Sequence, residues 1–183
     1  MKLDEYQDGA GSTAIYRSSM HLWYPTLGMC GEIGELTDAV IHKSDETSKE
    51  VGDVLWYLAN VANDSCLSLS TTVGRKTFPV KVDNGCWGMD DVLEELAIAA
   101  GCVAESVKKA FRDDQIEMDC WGELRRPRQK KIKLGLRRVV YLLADLANNA
   151  EWCASLEECA QMNIDKLLSR AERGTLHGDG DNR

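Results

Sequence analysis

LGMCGEIGELTDAVIHKSDETSKEVGDVLWYLANVA, residues 27–62, decides the fold. Its spacing predicts two helices joined by a polar turn. In the first, Met29, Ile33, Leu36 and Val40 recur at helical period and form one apolar stripe, with Glu32 at its edge and Glu35 just beyond. In the second, Val51, Val54, Leu58 and Val61 make the stripe, bordered by Glu50, Asp53 and Tyr57. Residues three apart on a helix share a face, with roughly 5–6 Å between Cβ atoms. Packing the two stripes together therefore brings four carboxylates to one seam.

Acid pairs at this spacing also occur at Glu5 and Asp8, Asp91 and Glu94, and Asp114 and Glu117, so spacing alone leaves a solvated acidic face open. Two features favour a metal site. Gly28, Gly31, Gly34 and Gly52 each cost a helix roughly 0.8–1 kcal/mol against alanine, which close backbone approach beside the acids would explain. Like charges gathered at a partly dry seam repel, and a hard divalent cation removes that cost. Oxygen donors with no nearby histidine or cysteine pair suit Mg²⁺, with Mn²⁺ able to substitute.

Glu32-x-x-Glu35 followed by Glu50-x-x-Asp53, with Gly31, Gly34 and GDVLWYLA at 52–59, resembles the MazG-like, all-α nucleoside triphosphate pyrophosphohydrolases, a superfamily that includes the dimeric dUTPases. The resemblance implies metal-dependent cleavage of a (deoxy)nucleoside triphosphate to the monophosphate and pyrophosphate. It also implies Glu32, Glu35, Glu50 and Asp53 as metal ligands, with Glu35 and Glu32 catalytic. Two alternatives stay open: a related phosphoanhydride hydrolase of the phosphoribosyl-ATP type, and a catalytically silent nucleotide- or metal-binding module.

Outward from this stretch, residues 3–18 are expected to form a first helix, and LDEYQ resembles the start of MazG-like chains, where the Gln7 position reaches the nucleotide. Trp23 and Tyr24 stand before the acids, where they could stack on a base or pack in the core. Pro25 predicts an extended approach to the helix. Ser48 is a candidate cap for the second acidic helix. Glycines and a proline then punctuate a short third helix and a linker at 79–90.

The apolar frame repeats after this linker. Residues 100–113 align with 30–43, placing Glu105 opposite Glu35 but Cys102 opposite Glu32; residues 137–148 align with 52–63, with Arg138 opposite Asp53 and Gly135 opposite Glu50. The expected architecture is an all-α helical bundle of two tandem repeats around a four-helix core. Residues 1–78 form the intact repeat, 91–174 a degenerate one, and 175–183 a glycine-rich tail. This arrangement resembles a pseudo-dimeric form of the family with one metal site per chain, and a homo-oligomer of that unit is compatible with it. The last helix opens on a capping box, Ser155 and Glu158. Its resemblance to a MazG-like subgroup names Asn163, Lys166, Arg170 and Arg173 as substrate contacts, and the tail glycines would let backbone N–H groups approach phosphate.

Across 183 residues the net charge is −8, which opposes general nucleic-acid binding. A small nucleotide bridged by a metal is compatible with it. The seven cysteines form no CxxC pair, so buried thiols in a reducing cytoplasm are expected rather than disulfides or structural zinc. No apolar run approaches the roughly 20 residues of a membrane span, and the start lacks a signal-peptide core, which predicts a soluble cytoplasmic protein.

Overall fold

The computed structural model describes residues 1–78, 88–114 and 124–176. Most of the expected linker (79–87) and the tail glycines beyond residue 176 lie outside the described residues. Among the described residues seven α-helices follow one another: α1 Leu3–Ser12, α2 Trp23–Ile41, α3 Thr47–Asp64, α4 Leu69–Val73, α5 Met89–Asp113, α6 Arg126–Asn149 and α7 Leu156–Glu172. Among the described residues there is no strand, and a lone bridge pairs Lys2 with Thr77. The protein is an all-α helical bundle. None of its described helices is long and apolar enough to cross a membrane.

The two stripes read from the sequence are the packed faces. Met29, Ile33, Leu36 and Val40 of α2 meet Val51, Val54, Leu58 and Val61 of α3, all of them buried. Helices α5 and α6 pair in the same manner through residues that include Val103, Val107, Leu136, Val139 and Leu143. The hairpins join through α2 against α5 and α3 against α6, and each covers apolar surface that the other would leave in water. Helices α1 and α7 both pack on α3, which becomes the central helix.

Several local expectations are corrected. α1 ends at Ser12 rather than Ser18, and Ser18–Met20 form a short 3₁₀ turn. α2 already begins at Trp23, with Pro25 inside its first turn, where a missing N–H costs no helical hydrogen bond. Leu22 ahead of it holds φ of 66°, and its N–H donates to Asp64 Oδ2 at 2.6 Å. The α3 N-cap is Glu46 rather than Ser48. At the other end of the chain, Ser155 and Glu158 close the capping box of α7, and Gly174 takes φ of 69° beyond its last turn.

The acidic-helix glycines divide into two classes. A Cβ at Gly28 would lie 2.1 Å from Tyr57 Cε1, and one at Gly52 would lie 2.8 Å from Asn163 Cβ and 3.0 Å from the Cys159 carbonyl oxygen. Close approach accounts for both. At Gly31 and Gly34 a Cβ would meet nothing within 4 Å, so packing does not account for them. Gly28→Ala is therefore expected to destabilise the fold by about 1–3 kcal/mol, whereas Gly31→Ala should stabilise it by up to about 1 kcal/mol through helix propensity. Thermal melting of the two variants checks this, and the opposite order would refute the packing described.

Candidate metal and nucleotide site

The α2 and α3 stripes are in contact, so the acids at their edges converge. Carboxylate oxygens of Glu32, Glu35 and Glu50 lie within 4.8 Å of one another. Glu50 is buried, Glu32 half-buried and Glu35 exposed, so the cluster runs from the helix seam into solvent. Burial pushes the Glu32 carboxyl up to about 7, reinforced by the negative charges of Asp53, Glu35 and Glu50 and opposed by Lys166. Burial also raises Glu50, against the hydrogen bond its Oε1 accepts from Lys49 Nζ at 3.1 Å.

Asp53 has a different environment. Its Oδ1 accepts from Asn163 Nδ2 at 2.7 Å and from Lys166 Nζ at 2.7 Å, while Oδ2 accepts from the same ammonium at 2.9 Å. Asn163 Oδ1 in turn accepts from the buried Tyr6 hydroxyl at 3.2 Å. Three helices thus fix one carboxylate: α3 carries it, α7 donates to it, and α1 orients the donor. Gly52 permits this, because a side chain there would push α7 away.

The donor set fits a hard divalent cation. Three oxygen donors converge, two of them are raised by burial and then by neighbouring negative charge, and no sulfur or imidazole belongs to the cluster. Asp53 lies close enough to raise both Glu32 and Glu50, and its charge is balanced by Lys166.

The raised Glu32 sets a pH dependence. Its folded pKa of about 7 stands above the ordinary 4.5, so between those values the folded protein binds more protons than the unfolded chain. Stability must then fall as pH rises through that window. Chelator-treated protein should show this fall in Tm, and Glu32→Gln should flatten it. An unchanged slope in the variant would place the effect elsewhere.

The other residues singled out from sequence are placed as follows. Gln7 is buried at the far end of α3, where Nε2 donates to Asn63 Oδ1 (2.8 Å) and the Leu67 carbonyl (2.7 Å), and Oε1 accepts from Leu69 N–H (2.7 Å). Asn63 is ten residues beyond Asp53, about 15 Å along the helix. The structure does not bring Gln7 to the acids, and its amide ties α1 to the α3–α4 turn. Arg170 is buried one turn beyond Lys166, and the exposed Arg173 donates to Ser169 Oγ at 2.5 Å.

Trp23 is partly buried against the core and donates its indole N–H to the Ser19 carbonyl at 3.1 Å. Its ring stands 6.3 Å from Tyr24, which stands 6.2 Å from Tyr57. Tyr57 lies close enough to Glu32 and Asp53 for both to raise its hydroxyl, after burial and Tyr24. An aromatic wall therefore adjoins the carboxylates.

The second hairpin is built differently at the matching positions. Cys102 is exposed, Glu105 is paired with Lys108 and Lys109, and Arg138 is paired with Glu95. A Cβ at Gly135 would lie 2.5 Å from Val103 Cγ2, so this glycine closes α6 onto α5. Lys49 and Tyr6 shape the site and were not singled out for it; adjacency to Glu50 was the one available signal for Lys49.

A family profile described as MazG nucleotide pyrophosphohydrolase domain matches residues 26–74, which contain all four acids. The chain is also similar to Gene 37 protein of Mycobacterium phage L5, at 38% identity over 93 residues, covering 41% of this chain and 82% of that protein. No solved structure gives a significant match.

Proposed function

Because this chain belongs to the MazG nucleotide pyrophosphohydrolase family, we propose that it hydrolyses a nucleoside triphosphate, in particular a deoxynucleotide, to the monophosphate and pyrophosphate with Mg²⁺ or Mn²⁺. The observation that carries this reading is the convergence of Glu32, Glu35 and Glu50 within 4.8 Å, beside an Asp53 already gripped by a lysine. A divalent cation held there supplies neutralisation of phosphate charge and acidifies water.

The chain's own residues have the following roles. Glu32, Glu50 and Asp53 hold the metal from the seam. Glu35, the most exposed acid of the cluster, both ligates and accepts the proton of the attacking water, with Glu32 as its neighbour in that role. Asn163 positions Asp53. Lys166, Arg170 and Arg173, spaced along one helix face, receive the polyphosphate. Trp23, Tyr24 and Tyr57 flank the base.

Residues 1–78 are then the metal-bearing repeat and 91–174 a degenerate repeat that has exchanged metal binding for substrate binding and support. A cytoplasmic setting agrees with a nucleotide substrate.

A screen of nucleoside triphosphates and phosphoribosyl-ATP with Mg²⁺, read by product analysis, tests this reading. A nucleoside monophosphate and pyrophosphate in equal amounts are expected. Orthophosphate with a nucleoside diphosphate would refute the cleavage position, and turnover confined to phosphoribosyl-ATP would move the chain to the related hydrolase class. Mg²⁺ binding without turnover of any of them would leave a metal-binding module.

A further inference from the structure

Two cysteines lie where α7 meets α3, outside the acid cluster. Cys153 is half-buried in the turn before α7, and Cys159 is fully buried in its second turn. Both sulfurs border the same Ser48–Ala154 contact. Ser48 completes the group: its hydroxyl contacts Cys153 Sγ at 3.7 Å and accepts from Ala154 N–H at 2.9 Å, while Cys159 Sγ donates to the Ala154 carbonyl at 3.5 Å.

We propose that Cys153 and Cys159 form a peroxide-oxidisable dithiol whose closure to a disulfide alters how α7 sits on α3. Two short routes of backbone and hydrogen bonds lead from this pair toward the acids. Ser48 is two residues before Glu50 on α3. Cys159 is one helical turn before Asn163, which donates to Asp53, and the Cys159 carbonyl lies against Gly52. Only five residues separate the two cysteines, so bond formation needs local movement of the turn at 153–155 rather than opening of the bundle.

The environments assign the roles. The neighbouring Cys159 thiol draws the Cys153 thiol below its ordinary value against its burial, with help from Ser48, which makes Cys153 the nucleophile of the pair. The neighbouring Cys153 and burial push the Cys159 thiol upward, so it stays protonated. The Cys153 thiolate attacks hydrogen peroxide; an S–O bond forms, the O–O bond breaks, and the departing hydroxide takes up a proton as water. Cys159 sulfur then attacks Cys153 Sγ; the S–S bond forms, the S–O bond breaks, and the hydroxyl leaves with the Cys159 proton as a second water. Two thiols lose two electrons and peroxide gains them. In reducing compartments such reversible disulfides are characteristically sensors rather than structural braces.

The effect on turnover rests on the nucleotide-hydrolysis reading, whereas the dithiol chemistry does not. Both are tested on the full chain by peroxide titration. Trypsin releases residues 139–166 as one peptide containing Cys153 and Cys159 and no other cysteine. That peptide should lose two hydrogen masses and resist alkylation before the exposed Cys66 and Cys102 react, and dithiothreitol should restore it. Cys159→Ser should stop at a sulfenic acid on Cys153 that dimedone traps, and Cys153→Ser should slow oxidation of this peptide at least tenfold. Oxidation falling first on Cys66 or Cys102, with 139–166 still doubly alkylated, would overturn the proposal. In the wild type, turnover should fall severalfold with the disulfide and return on reduction, while both serine variants keep peroxide-insensitive turnover. A formed disulfide with unchanged turnover would overturn the coupling to the site. Absence of turnover in every redox state, with the disulfide formed, would count against the hydrolase reading instead.

Discussion

Glu35→Gln is expected to lower kcat by about 10²- to 10⁴-fold, the range for losing a positioned acid or base, while the protein stays folded. Glutamine keeps the size of the side chain and removes its charge and basicity. Glu35 is exposed and belongs to an acid cluster whose charges repel, so the variant should melt no lower than the wild type in chelator. Glu50→Gln should also lose turnover, through metal affinity; because Glu50 is buried and bonded to Lys49, its melting behaviour should change as well. The two variants thus separate a chemical role from a positioning one. Steady-state kinetics with a Mg²⁺ titration, beside thermal melting, gives the readout. Wild-type turnover in Glu35→Gln, or full activity in excess chelator, would remove the metal assignment.

The α2–α3 hairpin was legible because it rests on local periodicity. Apolar residues at helical spacing choose the buried face, and that choice places Glu32, Glu35 and Glu50 without knowledge of anything distant. The failures share the opposite property. Leu22 accepts a left-handed backbone while Asp64, 42 residues away, takes up its N–H. Gln7 is engaged by Asn63 and Leu69. Ser48 serves Ala154 instead of its own helix. In each case a polar group is satisfied by a partner remote in sequence, which spacing does not encode.

The glycines and cysteines teach a finer lesson. Gly28 and Gly52 answer to Tyr57 and Asn163, whereas Gly31 and Gly34 face open space, though all four looked alike on a helix beside acids. Cysteine was expected to be buried. Cys66 and Cys102 are exposed, Cys159 is buried, and Cys86 and Cys120 lie outside the described residues.

Lys166→Ala should lower kcat/KM by about 10- to 100-fold, equivalent to about 1.4–2.8 kcal/mol for a charge-assisted contact with phosphate. The structure adds a second consequence. Lys166 already neutralises Asp53 through two short contacts, with side chains 24% and 21% exposed, so its removal leaves a carboxylate uncompensated beside Glu32 and Glu50. In chelator the variant should therefore melt below the wild type, by an amount between that of a surface ion pair and a buried one, about 1–3 kcal/mol. Saturating Mg²⁺ should close much of that gap, because a cation compensates the same charge, while leaving the kinetic loss in place. Asp53→Asn combined with Lys166→Ala should recover the apo stability and remain inactive, which separates the counter-ion role of the lysine from its contact with substrate. Arg170 is buried and Arg173 exposed on the same helix, so Arg170→Ala should reduce both stability and kcat/KM, and Arg173→Ala kcat/KM alone. If Lys166→Ala, Arg170→Ala and Arg173→Ala all keep wild-type kcat/KM, α7 is a structural brace for Asp53 and the site is confined to the α2–α3 hairpin.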